Sequence, residues 1–173
     1  MRPSINPTGV ERFFDEDDII VSKTDTTGKI QYANHVFQAV SGFTEEELLG
    51  QQHNIIRHPE MPQSVFKLLW DTIKSGEEIF AYVVNMCKNG DHYWVLAHVT
   101  PTFGENGQIL GYHSNRRVPE REAVDAAEGL YRQLLEEEKK HRSQKAGMQA
   151  ATEMLLAALA EKKVAYDEFV FSL

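Results

Sequence analysis

The chain has 173 residues, of which 42% are hydrophobic and 10% aromatic, and it carries a formal net charge of -8 at pH 7. This composition is typical of a globular chain that buries one core, and it excludes a disordered protein. The negative charge argues against a nucleic-acid partner, because binding to phosphates needs clustered lysine and arginine. The length predicts one domain with an appendage.

The sequence gives no sign of membrane insertion or export. No apolar run approaches the roughly 18–20 residues of a spanning helix, and the N-terminus lacks the apolar part of a signal peptide. Cys87 is the only cysteine, so an intrachain disulfide and a cysteine-based zinc site are excluded and a buried thiol is expected. We therefore expect a cytoplasmic protein. The chain ends at Leu173 without a transmembrane, kinase or chemoreceptor signalling segment, so its output should pass through a partner.

The first predicted elements are an N-terminal cap and two strands. Residues 1–17 contain two prolines and the pair Phe13 and Phe14, which indicate a short helix laid against the domain. The segments Ile19 to Asp25 and Ile30 to Ala33 are rich in β-branched residues and flank a Thr-Thr-Gly-Lys turn. This pattern predicts a strand, a turn and a second strand.

Helical patterns dominate the next part of the chain. A short helix is expected from Asn34 to Val40, and another follows Thr44, an N-cap with Glu47 at the spacing of a capping box. The polar connector from His53 to Pro62 contains two prolines, which permit only a single turn. From Pro62 to Ser75 the apolar positions repeat at helical spacing, which predicts an amphipathic helix covering a sheet.

After Gly76 the apolar period changes to two. Residues 79–87 and 92–102 are predicted strands joined by Asn89-Gly90, the preferred pair for a type I′ hairpin. A second pair, Asn106-Gly107, precedes a last strand over 108–117. The element order gives an α+β fold, with a five-stranded antiparallel sheet and helices on one face. Such a face can enclose a pocket.

The segment 119–173 is a predicted helical tail. One apolar stripe follows Ala123, and Glu-Lys and Glu-Arg pairs at i,i+4 spacing accompany it, so a solvated helix should leave the domain. Gly147 interrupts the pattern, and a second stripe follows from Ala151. These stripes favour a coiled coil or dimerisation helices over a helix on a membrane surface.

Several motifs resemble the PAS domain of bacterial aerotaxis receptors. They are HNIIRHPEMP from His53 to Pro62, then Phe66 and Leu69-Trp70, then Asn85 and KNGDHYWV from Lys88 to Val95, together with Tyr32-Ala33-Asn34, Ser41-Gly42-Phe43-Thr44 and Gly111-Tyr112. The resemblance extends from Ile19 to Arg117. It implies a PAS sensor domain over residues 18–118, between the cap and the tail.

The resemblance also implies a ligand and a role. That family binds FAD non-covalently and reports its redox state, and so the oxygen or respiratory status of the cell, to a chemotaxis-type signalling partner. The family's flavin-binding positions fall on Asn34, His53, Arg57, His58 and Asn85, and Glu60 stands where Asp is more usual. By the same resemblance Arg116 faces the reactive edge of the flavin.

One position departs from the family pattern. The family commonly has a tryptophan where this chain has Ile79. Strand alternation puts Ile79 on the same face as Asn85, which is the pocket side if Asn85 contacts the ligand. Without the indole, about 0.5–1.5 kcal/mol of aromatic interaction beyond area burial is missing. We expect weaker flavin binding, not its loss.

Other interpretations of the same residues stay open. The charged side chains of the connector need no ligand if Arg57 pairs with Glu60. Arg116 can be a surface residue beside Arg117. His53 and His58 can be haem ligands, as in some PAS domains. A haem-based gas sensor and a ligand-free PAS interaction module are therefore the alternatives to a flavin sensor. No motif for nucleophilic or acid–base catalysis is present, so an enzyme is not expected.

The residue pattern of one strand predicts that the outer face of the sheet is covered. Tyr93 to Leu96 places apolar side chains on both faces of one strand, so something should cover the outer face. Phe13 and Phe14 of the cap are the first candidates, and a homodimer through the cap or the tail is the second.

Overall fold

Five strands form one antiparallel sheet with the spatial order β2-β1-β5-β4-β3. The structure is a computed structural model and describes residues 5–173. The strands alternate between an inward and an outward face, and their bounds are β1 (Ile20–Asp25), β2 (Ile30–Ala33), β3 (Ile79–Met86), β4 (His92–Phe103) and β5 (Ile109–Arg117). The predicted α+β class with a five-stranded sheet is confirmed, because both pairs of predicted strands and the last strand occur.

Short helices connect β2 to β3 on the inner face. They are α1 (His35–Ser41), α2 (Glu45–Leu48), a 3-10 turn over His53–Ile56 and α3 (Gln63–Lys74). The predicted capping box is present, since Thr44 accepts a hydrogen bond from the Glu47 amide while the Glu47 side chain accepts one from the Thr44 amide. Pro62 occupies the N-cap of α3 and supplies no side-chain cap.

The Asn89-Gly90 turn differs from the predicted type I′ geometry. A type I′ turn needs positive φ at both central residues, but Gly90 has a φ of 97° and Asn89 is not in this region. The Gly90 amide donates to the Cys87 carbonyl at 3.0 Å, and the Cys87 amide donates to the Asp91 carbonyl at 2.7 Å. The hairpin is therefore a longer turn with one left-handed glycine, and the Asn106-Gly107 turn follows the same pattern.

The described part of the N-terminal segment, residues 5–17, contains no helix, so the short helix predicted around Phe13 and Phe14 is wrong. The Thr8 amide donates to the Gly90 carbonyl at 2.9 Å, and the His92 amide donates to the Val10 carbonyl at 2.9 Å. The Arg12 amide donates to the His92 carbonyl at 2.7 Å. These backbone groups pair with the β3–β4 hairpin and are no longer available to a helix. The segment still lies against the domain.

The outer face of the sheet is covered by the first helix of the tail. This helix, α4 (Arg121–Lys139), buries Ala123, Val124, Ala127, Tyr131 and Leu134. Tyr131 stacks on Trp94 with ring centroids 6.1 Å apart, and its hydroxyl donates to the Tyr82 carbonyl. Phe13 is 75% exposed and does not cover Trp94. The predicted solvated helix and the predicted cover by Phe13 are therefore wrong, whereas Phe14 is half-buried against the main core.

The rest of the tail also packs on the domain. Helix α5 (Gln144–Lys162) runs beside α4 and contacts α3, and its Ala151, Leu155 and Leu159 are buried. Helix α6 (Tyr166–Phe171) lies against the edge strand β3, where Asp167 accepts a hydrogen bond from the Phe80 amide at 3.2 Å. The apolar stripes that predicted a coiled coil are thus buried within the chain. Within residues 5–173 no helix is both long and apolar enough to span a membrane.

Two helical glycines of the tail predict opposite effects of the same substitution. A Cβ at Gly147 would lie 2.2 Å from the Glu138 carbonyl oxygen, whereas a Cβ at Gly129 would meet nothing within 4 Å. Alanine in a helix normally stabilises by about 0.5–1 kcal/mol relative to glycine. Gly129→Ala should therefore raise the free energy of unfolding by about that amount. Gly147→Ala should lower it by about 1–3 kcal/mol, because α5 must move away from α4.

Urea denaturation of the two variants and the wild type measures this difference. A Gly147→Ala protein as stable as Gly129→Ala would show that α5 does not cross α4 at this distance.

Candidate functional site

A cavity of about 450 Å³ lies between the inner face of the sheet, the 3-10 turn and α3. This volume is in the range of small-molecule sites. Alternate residues of four strands face it, which are Ser22 and Thr24 on β1, Val83 and Asn85 on β3, Ala97 and Val99 on β4, and Tyr112, Ser114 and Arg116 on β5. The structure thereby decides the open question of strand β5, since Arg116 points inward and is not a surface residue.

Arg116 is the most unusual group in the cavity. Its side chain is 2% exposed, and no carboxylate pairs with it among residues 5–173. One terminal nitrogen donates to Ser22 Oγ at 2.6 Å, and the guanidinium lies 4.5 Å from the centre of the Phe37 ring. Its Nε has no hydrogen-bond partner within the described part of the chain. Burial lowers the pKa of Arg116 to about 10, so it stays charged at neutral pH.

His53 completes the polar cluster around Arg116. Its Nε2 lies 3.0 Å from Ser22 Oγ and 3.4 Å from a terminal nitrogen of Arg116. Because a guanidinium can only donate, Nε2 is an acceptor and the ring proton lies on Nδ1. Ser22 then accepts from Arg116 and donates to His53. Burial, and then the charge of Arg116, lower the pKa of His53 to about 3, which keeps this imidazole neutral.

Asn85 and Arg57 lie on the side of the cavity opposite β1. Their backbones form an isolated antiparallel bridge, which ties the middle of the connector to edge strand β3. The Asn85 side chain is buried and adjoins the Tyr93 hydroxyl. The Arg57 guanidinium lies 4.7 Å from the centre of the Phe66 ring. Burial lowers the pKa of Arg57, and attraction to Glu138 opposes that shift. Both side chains face the cavity.

The other predicted site residues lie outside the cavity lining. Asn34 caps α1, where its Oδ1 accepts from the amides of Phe37 and Val21 at 3.0 Å. His58 is buried against His92, with ring centroids 5.6 Å apart. These residues hold the connector and α1 in place behind the cavity.

Glu60 and Ile79 are also displaced from the lining. The Glu60 side chain is 70% exposed, with an oxygen 4.0 Å from His58 Nδ1, and the pairing of Arg57 with Glu60 that the alternative interpretation requires is absent. Ile79 packs with Leu69, Ile73 and Val99 beside the cavity. Direct contact of Asn34, His58, Glu60 and Ile79 with a ligand stays a prediction.

Several lining residues were missed by the sequence reasoning. Ser22 and Thr24 alternate with outward residues on β1, a signal that strand alternation could have given. Trp70 follows Phe66 by four positions on α3, and it meets Tyr112 edge-on with ring centroids 5.6 Å apart. Met148 comes from α5. No local sequence pattern predicts that a residue of the tail lines the cavity.

Comparison with known proteins identifies the fold family of this chain and several relatives. A family model described as PAS fold matches residues 30–116. The aerotaxis receptor of Escherichia coli (strain K12) is 45% identical over 119 residues, which are 69% of this chain and 23% of the receptor. The nitrogen fixation regulatory protein of Klebsiella pneumoniae is 23% identical over 103 residues, which are 60% of this chain and 21% of that protein. The chain thus spans about a fifth of the length of these relatives.

Solved structures share the fold at low sequence identity. The light state of the blue-light photoreceptor Aureochrome1 LOV superimposes with a TM-score of 0.55 at 19% identity, covering 65% of this chain and 88% of that one. The PAS domain of a protein from Colwellia psychrerythraea gives a TM-score of 0.50 at 22% identity, covering 58% of this chain and 86% of that one. These likenesses establish the architecture only.

The neutral state of His53 predicts how stability depends on pH. The ordinary pKa is 6.5 and the folded pKa is about 3, so below pH 6.5 the unfolded chain binds a proton that the folded chain does not. The stabilisation is complete above pH 6.5 and is lost as the pH falls toward 3. Between pH 7 and pH 5 this loss amounts to about 2 kcal/mol.

Urea unfolding at both pH values should show a smaller loss for His53→Gln, which keeps an acceptor for Ser22 but does not titrate. Equal losses in the two proteins would mean that His53 protonates in the folded chain.

Proposed function

The chain belongs to the PAS fold family, and on this basis we propose that it is a cytoplasmic redox or oxygen sensor that binds FAD non-covalently. Its PAS segment is related to the aerotaxis receptor of Escherichia coli. The proposed output is a conformational change read by a signalling protein, of the chemotaxis type or another, and not a turnover reaction. Homodimerisation through the cap or the tail belongs to the same proposal.

The observation that carries the proposal is the buried charge of Arg116 facing the cavity. A guanidinium without a carboxylate partner is costly to bury unless a ligand supplies acceptors or negative charge. Its unpartnered Nε and the unpartnered Oγ1 of Thr24 both belong to residues that line the cavity. Ring nitrogens and carbonyl oxygens of a flavin are acceptors of the required kind.

The remaining lining fits the other parts of such a ligand. Asn85 offers an amide donor and an amide acceptor to one edge of a ring. Trp70 and Tyr112 supply aromatic surface, which offsets part of the aromatic surface that the aliphatic Ile79 does not provide. Arg57 and Lys67 can pair with phosphate groups. When bound, FAD would supply a reversible change of redox state and, with it, of charge and hydrogen bonding at the ring.

The donor set favours a flavin over haem. His53 lines the cavity, but His58 does not, so the two predicted haem ligands do not face one site. His53 Nε2 already accepts from Ser22 and adjoins Arg116, whose positive charge disfavours a metal cation at that nitrogen.

The sheet offers a route from the cavity to the tail. Arg116 lies on β5, between β1 and β4, and it pairs with Ile20 on one side and Ala97 on the other. A change in the hydrogen bonds of Arg116 therefore alters the strand that carries Ser22 and the strand that carries Trp94. Trp94 contacts Tyr131 of the tail on the opposite face. This is a packing change that a partner can read.

The absorption spectrum of the purified full chain tests the ligand. We expect the bands of oxidised flavin and the release of FAD on denaturation. A Soret band would replace the proposal with the haem sensor. A colourless protein that binds no added FAD would leave only the interaction module.

Two neighbouring arginines provide a matched test of the site. Arg116 is buried and faces the cavity, whereas Arg117 is exposed on the other face of β5. Charge-assisted hydrogen bonds are worth about 1.5–3 kcal/mol, so Arg116→Met should weaken FAD binding by about 10- to 100-fold. Arg117→Met should leave it unchanged. Fluorescence titration of the ligand-free proteins measures both.

The same variant should stabilise the ligand-free protein, because it removes a buried charge without a partner. A urea midpoint at or above the wild-type value therefore separates weakened binding from misfolding. Wild-type affinity in a folded Arg116→Met protein would contradict the site assignment. Arg57 and Asn85 also line the cavity, so Arg57→Ala and Asn85→Ala should each weaken binding enough to release FAD.

A further inference from the structure

The α4–α5 turn region, residues 138–148, borders the cavity at Met148, and this border is called the mouth of the cavity below. Two residues of this turn region, Glu138 near the end of α4 and Met148 near the start of α5, reach back to α3 and the cavity. Both lie outside residues 30–116, which match the family. They therefore belong to the tail and not to the segment that the family model matches.

Glu138 acts as the N-terminal cap of α3. Pro62 provides no side-chain cap, and no acidic residue occurs in the first turn of α3. The Ser64 amide instead donates to Glu138 Oε1 at 2.9 Å. A carboxylate at a helix N-terminus satisfies a free amide and interacts favourably with the helix dipole. Glu138 also attracts Arg57, which lines the cavity. The Glu138 carboxylate thus interacts with both the start of α3 and the Arg57 guanidinium.

Gly147 brings Met148 to the cavity. Helix α5 crosses the backbone of Glu138 so closely that a Cβ at Gly147 would lie 2.2 Å from the Glu138 carbonyl oxygen. The next residue, Met148, is half-buried and borders the cavity together with Gln63 and Lys67 of α3. A flexible thioether suits a wall that adapts to a ligand.

We propose that the α4–α5 turn is a wall of the ligand site, in which Met148 contacts the ligand and Glu138 latches the wall to α3. Ligand binding and docking of the tail then stabilise each other, because the coupling between two binding events is reciprocal. The identity of the ligand rests on the proposed function. The docking of the α4–α5 turn on α3 does not depend on that function.

The latch is tested without a ligand by hydrogen exchange on the full chain. Glu138→Ala removes the acceptor of the Ser64 amide, so exchange at Ser64 and over α5 should accelerate at least tenfold. The control is Glu128→Ala, which removes one exposed negative charge from the same helix. Equal exchange rates in the two variants would overturn the proposal.

The wall is tested by thiol labelling, also without a ligand. The native Cys87 is buried, and burial raises its pKa to about 11, so it reacts slowly with a disulfide reagent. Met148→Cys adds one thiol at the mouth. Its labelling should be several times faster with Glu138→Ala than with Glu128→Ala. Equal labelling would show that Glu138 does not keep the turn docked.

FAD is the probe for coupling to the ligand. Its release, followed by flavin fluorescence after dilution, should be about tenfold faster from Glu138→Ala than from Glu128→Ala. Unchanged release alongside faster exchange would overturn the role of the turn as a wall of the site. A protein that never binds FAD would refute the proposed function, and the exchange and labelling results would still decide whether the turn closes the cavity.

Discussion

One buried positive charge at the centre of the sheet determines the chemical character of the cavity, and the surrounding structure has to hold it in place. Arg116 has no carboxylate partner among residues 5–173 and is held by the hydroxyl of Ser22, the face of Phe37 and the neutral ring of His53. Such an arrangement costs stability. It persists because the strands and the 3-10 turn around it are fixed by backbone pairing and by the hydrophobic core. The charge makes the cavity a place for a ligand that brings acceptors.

The tail contacts the domain at two places near Arg116. Helix α4 covers the outer face of the sheet at Trp94, and the turn that follows it meets the mouth of the cavity through Glu138 and Met148. A ligand that rearranges the polar cluster around Arg116 is therefore close to two tail contacts, one across the sheet and one at the mouth.

Local patterns predicted the elements well because their causes are local. The Thr44 capping box and the period-two strands depend on residues a few positions apart. The helix predicted at Phe13 and Phe14 failed because the backbone of that segment pairs with the β3–β4 hairpin, about 80 residues away. Among the predicted site residues, His53 and Asn85 stand in recognisable motifs and line the cavity. Asn34, by contrast, is occupied in capping α1, a role that its motif alone does not reveal.

By itself the sequence determined the α+β class, the order of the elements and a set of polar residues that resemble a flavin site, because periodicity, caps and motifs are written in neighbouring residues. Only the tertiary structure decided that Arg116 faces inward, that the tail packs on its own domain and that Met148 borders the cavity. These outcomes depend on which surfaces meet across the sheet. In the sequence the apolar stripes of α4 and α5 fit a partner chain as well as this chain, and the structure buries them against Trp94 and α3.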